Sequence, residues 1–254
     1  MLEPIPGPAA DVAQWLTALL INTLLIALAQ RLPLLTRNGW RHACALGTIL
    51  WGCLGWRGWL AVVLYLALGS LVTKLGFAQK QAAGLAEARG GQRGPANVWG
   101  SALTGAVLAL LIGMGVGRER LLLIGFAASF AAKLADTFGS EIGKRWGRTT
   151  VLITNLHRVP AGTEGAISLE GTLASVVGSA LMTVLVLALG LIASPADAAL
   201  VASVGVVATL LESVLGALVQ GRVAWLSNEM VNGIQTALAA LLAMGLNLLG
   251  SAAT

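Results

Sequence analysis

The spacing of its charges limits what this chain can become more than any other feature. Stretches free of Asp, Glu, Lys and Arg cover residues 12 to 30, 42 to 56, 58 to 73, 94 to 117, 121 to 132, 171 to 196, 198 to 211 and 230 to 254. A helix of roughly 17 to 25 apolar residues crosses a bilayer core, and most of these runs supply one. Only 11% of the 254 residues are charged and 57% are hydrophobic, where a soluble domain carries about 25% charged residues. No period-two alternation recurs over strand-length segments, which removes a transmembrane β-barrel. The expected class is all-α: one polytopic helix bundle over residues 1–254, with the lipid bilayer as its surroundings.

Cys44 and Cys53 share one apolar run, without partners for a disulfide framework or a zinc site. With His42 and His157 the only histidines, a catalytic metal has to use oxygen ligands. The net charge of +5 is not gathered into a basic run interleaved with aromatics. Nucleic acid is therefore excluded as a partner, and membrane topology accounts for the excess. Glu3 and Asp11 give the start an acidic character unlike a cleaved signal peptide, so the first run is expected to persist as a span.

Candidate spans fall at 12–30, 42–56, 58–73, 98–117, 121–137, 171–193, 198–219 and 230–249. The second and third are short, and a single bent helix in their place would invert the topology of everything after them. Basic residues arbitrate, because cytoplasmic loops collect Lys and Arg. With eight spans, one side receives Arg31, Arg37, Arg41, Lys74, Lys80, Arg89, Arg93, Lys144, Arg145, Arg148, Arg158 and Arg222, and the other only Arg57, Arg118 and Arg120. Merging the short runs erases that asymmetry. About eight transmembrane helices are expected, with both termini on the non-cytoplasmic side. The seven prolines fall in loops or at helix starts, and Trp40, Trp56, Trp59, Trp99, Trp146 and Trp225 fall at span ends.

Ionisable groups inside spans are the informative ones, since each costs about 2.5 to 3.5 kcal/mol at a helix centre. Three clusters stand out: Lys133, Asp136, Ser140, Glu141 and Lys144 at the end of the fifth span; Glu212 with Ser213 and Gly216 in the seventh; and Asn228, Glu229, Asn232 and Gln235 opening the eighth. Eight spans place all three toward the positive face. Two loops on that face, 74–97 and 138–170, add Arg, Lys and glycine, including the Gly90-Gly91 pair and the segment HRVPAGTEGAISLEGT. Such loops suit phosphate, because glycine lets N–H groups converge and Arg binds two oxygens at once, although flexible loops with topogenic arginines share that composition. GSEIGK lacks the spacing of a Walker A loop. Carboxylates beside basic glycine loops are the chemistry of a magnesium-bound polyphosphate, and the apolar surroundings suggest a lipid as the other substrate.

The segments TKLGFAQKQAAGLAEARGGQRGPANVWGSA, LADTFGSEIGKRWGRTTVLITNLHRVPAGTEGAISLEGTLAS and TLLESVLGALVQGRVAWLSNEMVNGIQT resemble the phytyl-phosphate kinase family of the vitamin E pathway. That family lies within a broader, mostly uncharacterised transmembrane family. Ser101 stands where many members carry Asn, and no role is assigned to it. The resemblance implies phosphorylation of phytyl phosphate to phytyl diphosphate for tocopherol biosynthesis, with CTP as the nucleoside triphosphate donor. It also implies a bacterial inner or thylakoid membrane, with the site on the cytoplasmic face.

On this reading Asp136, Glu141 and Glu212 are expected to hold Mg²⁺. Lys74, Arg89, Arg93, Lys144 and Arg158 neutralise phosphate charge, while Gly90, Gly91, Gly162, Thr163 and Gly165 shape backbone donors beside Glu164. Asn97, Ser140, Asn228 and Asn232 orient the substrates, with Glu229 beside them. Phosphoryl transfer rests mainly on positioning and charge neutralisation, so the lack of a catalytic His is expected. Two rival readings remain: a transporter or flippase of an anionic or isoprenoid lipid, and a cytidylyltransferase that releases pyrophosphate. Oligomeric state is not legible in the sequence.

Overall fold

The computed structural model describes residues 12–220, 223 and 225–252. Glu3, Asp11, Pro4, Pro6, Pro8 and Arg222, used in the sequence reading, lie outside these residues. The helices are α1 (Val12–Ala29), α2 (Arg37–Lys74), α3 (Phe77–Ala82), α4 (Pro95–Gly113), α5 (Glu119–Trp146), α6 (Leu169–Ala188), α7 (Pro195–Leu218) and α8 (Asn228–Ala252). Among the described residues, all but the short α3 are long and apolar enough to cross a membrane, which makes seven.

The second of these folds back on itself. Wound without interruption, the 38 residues of α2 would reach about 57 Å. Instead, the beginning and end of α2 meet the same neighbours: Thr36 N donates to the Arg93 carbonyl (3.1 Å), the Arg93 side chain donates to Tyr65 Oη (2.7 Å), and Lys74 Nζ donates to Gly90 O (2.6 Å). The Trp51 and Trp59 rings lie 5.2 Å apart, where eight residues of unbroken helix would separate them by about 12 Å along the axis. The reversal falls at Gly55, at φ 65° and ψ −169°, a conformation open essentially to glycine. Residues 37–54 and 56–74 are therefore antiparallel legs, so the seven apolar helices run as eight segments, the number expected from the charge asymmetry.

α5 forms the axis of the bundle and packs against α2, α4, α6, α7 and α8. Ile124, Phe126, Ala127, Phe130 and Leu134 are wholly buried, and Phe130 stacks with both Phe126 and Tyr65. Apolar residues all round a helix require such a central place. Its polar end is accommodated by small residues: Gly139 and Gly143 face Gly171 and Ser175 of α6, the close approach by which membrane helices associate. α5 runs to Trp146, nine residues past the expected end of the span.

The loop after α5 departs from the all-helical expectation. Thr150–Leu152 (β1) pairs antiparallel with Ala166–Ser168 (β2) in the register Thr150 to Ser168, and Ser168 then caps α6 by accepting from Gly171 N (3.1 Å). Gly165, at φ 72°, lies so close to Ser213 O and the Ala217 backbone that a Cβ would collide with both. This contact seats the loop on the end of α7 and brings Glu164 toward Glu212.

Candidate functional site

Because the helices alternate in direction, α2, α5 and α7 end on the face where α4, α6 and α8 begin. A polar cavity of about 470 Å³ opens there. Its walls carry Asn97 and Ser101 from α4, Lys133, Asp136, Ser140, Glu141 and Lys144 from α5, and Glu212 and Ser213 from α7. Asn228, Glu229 and Asn232 from α8 line it too, as do Arg89, Gly91 and Arg93 and the loop from Ala161 to Ser168.

Lys133, buried in α5, pairs with Asp136 one turn on and donates to Asn232 Oδ1 of α8 (2.9 Å). Asn97 joins three segments: its Oδ1 accepts from Arg89 (2.8 Å) and from Gly94 N (2.9 Å), and its Nδ2 donates to Glu229 (3.0 Å). Lys144 pairs with Glu87 at 2.9 Å and lies 3.8 Å from Glu141. Burial works to raise the Glu87 carboxyl, but the charge and hydrogen bond of Lys144 outweigh it and hold the group below its ordinary range. Glu164 is pushed up, by burial first and then by the charges of Asp136 and Glu87 against the opposing Lys144. Glu212 lies within electrostatic reach of Asp136, Lys133 and Glu164, and no ion pair among the described residues includes it.

Most of the residues singled out in the sequence converge here: Arg89, Gly91, Arg93, Asn97, Asp136, Ser140, Glu141, Lys144, Gly162, Thr163, Glu164, Gly165, Glu212, Asn228, Glu229 and Asn232 all line the cavity. Three do not. Lys74 turns to the Gly90 carbonyl, which removes both Lys74 and Gly90 from the wall, and Arg158 lies exposed near the tip of the β1–β2 loop. Glu141 also differs from its expected role: it is 2% exposed and already paired with Lys80 of α3, itself 1% exposed, which donates in addition to Thr73 O (2.9 Å).

The sequence reading gave no role to Lys80, Glu87, Lys133 or Ser101. For Lys133 a signal was available, because a lysine within a span has to be paired. For Lys80 and Glu87 none was, since their partners lie 61 and 57 residues away. Among the described residues, no three Asp, Glu, His or Cys side chains gather closely enough to enclose a metal by themselves.

These features define a polytopic membrane protein with one charged, carboxylate-bearing site at the end of its helix bundle. The chain belongs to the integral membrane protein family DUF92, which it matches over residues 20–240. It is 50% identical over 235 residues to the uncharacterized membrane protein sll0875 of Synechocystis, with 91% of each chain covered. It is 40% identical over 237 residues to the chloroplastic protein VTE6 of Arabidopsis thaliana, covering 91% of this chain and 71% of the relative. The uncharacterized membrane protein MJ0933 of Methanocaldococcus jannaschii is 31% identical over 220 residues, 86% of this chain and 88% of the relative. No solved structure matches the chain.

Proposed function

We propose that this protein is a membrane phosphotransferase that moves the terminal phosphoryl group of a nucleoside triphosphate, CTP on the family resemblance, onto phytyl phosphate or a similar isoprenyl monophosphate. An oxygen of the acceptor phosphate forms the new P–O bond, the bond to the donor breaks, and a nucleoside diphosphate leaves. The observation that carries this reading is a single cavity at the membrane face holding Arg89, Arg93, Lys133 and Lys144 beside Asp136, Glu164 and Glu212. The acceptor is ionised near neutral pH and needs no general base, so alignment and charge neutralisation are the work left to the protein. Arg89 and Arg93 receive phosphate oxygens, Lys144 meets the charge at the α5 end, and Asn97 holds Arg89 in place.

Mg²⁺ fits this donor set. It takes one or two carboxylates and completes its shell with phosphate oxygens and water, so the absence of a three-ligand cluster is no obstacle. Asp136, whose partner Lys133 lines the same cavity, and Glu212, which has no ion pair among the described residues, are the residues that would hold it, while Glu141 is committed to Lys80, which lies outside the cavity. Bound there, the ion would offset polyphosphate charge. The family resemblance and the 40% identity to the chloroplast relative support the kinase reading, and the positive-inside distribution supports a cytoplasmic site.

The test uses purified protein in nanodiscs with phytyl phosphate, Mg²⁺ and CTP labelled in its terminal phosphate. Label is expected in phytyl diphosphate, lost without Mg²⁺ and reduced by roughly a hundredfold or more in Asp136→Asn and Glu212→Gln. The second variant breaks no ion pair, so it separates chemistry from folding. Near-normal turnover in both would remove the carboxylates from the site. Folded protein that labels no lipid with any common nucleoside triphosphate sinks the kinase reading. Net movement of the lipid without turnover would select the transporter, and pyrophosphate release the cytidylyltransferase.

A further inference from the structure

A second cavity, of about 330 Å³ and lined almost wholly by apolar side chains, lies between α1, the two legs of α2 and the beginning of α4. Leu46, Leu50, Val62 and Leu66 form its walls. At the deep end Trp59 Nε1 donates to Asn22 Oδ1 (2.9 Å), so these two polar groups satisfy one another. At the other end the cavity meets the polar site: Arg93, Asn97 and Ser101 line both.

Arg93 is held there firmly. Its backbone N donates to Leu34 O (3.0 Å), its carbonyl accepts from Thr36 N, and its guanidinium donates to Tyr65 Oη. Among the described residues no carboxylate is within ion-pair distance of it. A fixed cation without a carboxylate partner therefore stands where a polar chamber adjoins an apolar one. From Thr36, at the level of Arg93, to Leu50 the first leg of α2 descends about 21 Å at the helical rise.

We infer that this second cavity holds the isoprenoid tail of the acceptor, with the acceptor phosphate on Arg93 and the chain running down between the legs of α2 toward Asn22 and Trp59. The inference rests on the proposed phosphotransferase reading and adds to it the place of the tail and the means by which chain length is selected. Two observations favour a tailed phosphate over a bilayer lipid filling a groove: the cavity abuts the phosphate site and shares Arg93, Asn97 and Ser101 with it, and the Arg93 guanidinium at that shared end has no carboxylate partner among the described residues. α1 covers it on the lipid side. Within that helix only Ala18 and Asn22 are buried, and its one extensive neighbour is α2, so the tail is admitted from the bilayer beneath α1.

Ala43 and Ala67 line opposite legs, each seven residues in from the site face, about 10 Å deep at the helical rise. Ala43→Phe and Ala67→Phe narrow the cavity halfway down. The experiment measures kcat/KM for geranyl, farnesyl and phytyl phosphates with each variant. In parallel, a farnesyl phosphate carrying a terminal benzophenone is cross-linked to the protein without nucleotide, and the adducts are mapped by mass spectrometry.

The ratio of phytyl to geranyl kcat/KM is expected to fall by about tenfold in either variant, the scale on which apolar pockets discriminate. Adducts are expected on Leu46, Leu50 or Val62. An unchanged ratio in both variants, or adducts confined to the outer lipid-facing surface, overturns the tail site while wild-type turnover leaves the kinase reading intact. Adducts in the cavity that phytyl phosphate displaces, from protein that turns over no nucleotide, would uphold the tail site and defeat the kinase.

Discussion

At the scale of single residues, the ion pair between Lys80 and Glu141 shows how a site can be supported from beneath. Both are nearly inaccessible, and Lys80 also bonds Thr73 O at the end of α2, so three helices are tied at one buried ammonium. Removing one partner leaves a lone buried charge and costs about 3 to 5 kcal/mol, whereas replacing both with apolar side chains is close to neutral. Lys80→Met and Glu141→Gln are each expected to lower the melting temperature in detergent sharply, and the double variant Lys80→Met/Glu141→Met to recover most of the loss. Single variants that melt like the wild type would show that the pair holds nothing together. Glu141 was legible as an important carboxylate, because an acid near the end of a span demands a reason. Its role was not legible, since the reason lies 61 residues away and a single sequence carries no record of such pairing. Asp136 fared better, as its partner Lys133 is one helical turn distant and shares its face.

Among the elements, α2 carries the most consequence. Hydropathy alone offered two short spans or one bent helix, and the distribution of Arg and Lys chose the pair. The structure supplies the physical reason at Gly55, whose positive φ lets eighteen residues run down and nineteen run back. A Cβ in that conformation costs about 1 to 3 kcal/mol, and here the strain falls on the turn that shapes both walls of the apolar cavity. Gly55→Val is expected to destabilise the protein by that amount and to reduce turnover of long-chain acceptors more than short ones; unchanged unfolding in denaturant would show that the turn tolerates a side chain. Two elements were not legible. The last nine residues of α5 were not assigned to the span because its apolar character stops near Asp136, although the helical spacing of Asp136, Gly139, Ser140 and Gly143 already marked a polar stripe there, and the enclosing loop and α6 show how far the helix runs. The β1–β2 ribbon has three residues per strand, too few for alternation to register, and it forms because Gly165 can lie flat on α7.

For the molecule as a whole, chemistry and topology depend on the same face. Every helix that ends in the polar cavity has its other end near Gly55, the α4–α5 turn or the α6–α7 turn, and the far face carries the pair of Arg120 with buried Asp197. The gathering of three polar clusters and the basic loops at one end of the bundle was legible. The apolar chamber was not, because its walls are ordinary leucines and valines whose arrangement depends on the reversal at Gly55. A nucleoside triphosphate donor is available in the cytoplasm, so the proposed reaction requires the basic face to look inward, as twelve basic residues against three lead one to expect. The orientation can be read with Cys44 and Cys53 replaced by Ala and one new cysteine placed on each face: Asn155→Cys in the exposed β1–β2 loop, or Val116→Cys in the exposed turn between α4 and α5. A membrane-impermeant maleimide is expected to label Val116→Cys in intact cells and Asn155→Cys only in inverted vesicles. The reverse pattern would put the cavity on the outer surface, away from any nucleotide pool, and would end the kinase reading whatever the geometry of Asp136 and Glu212.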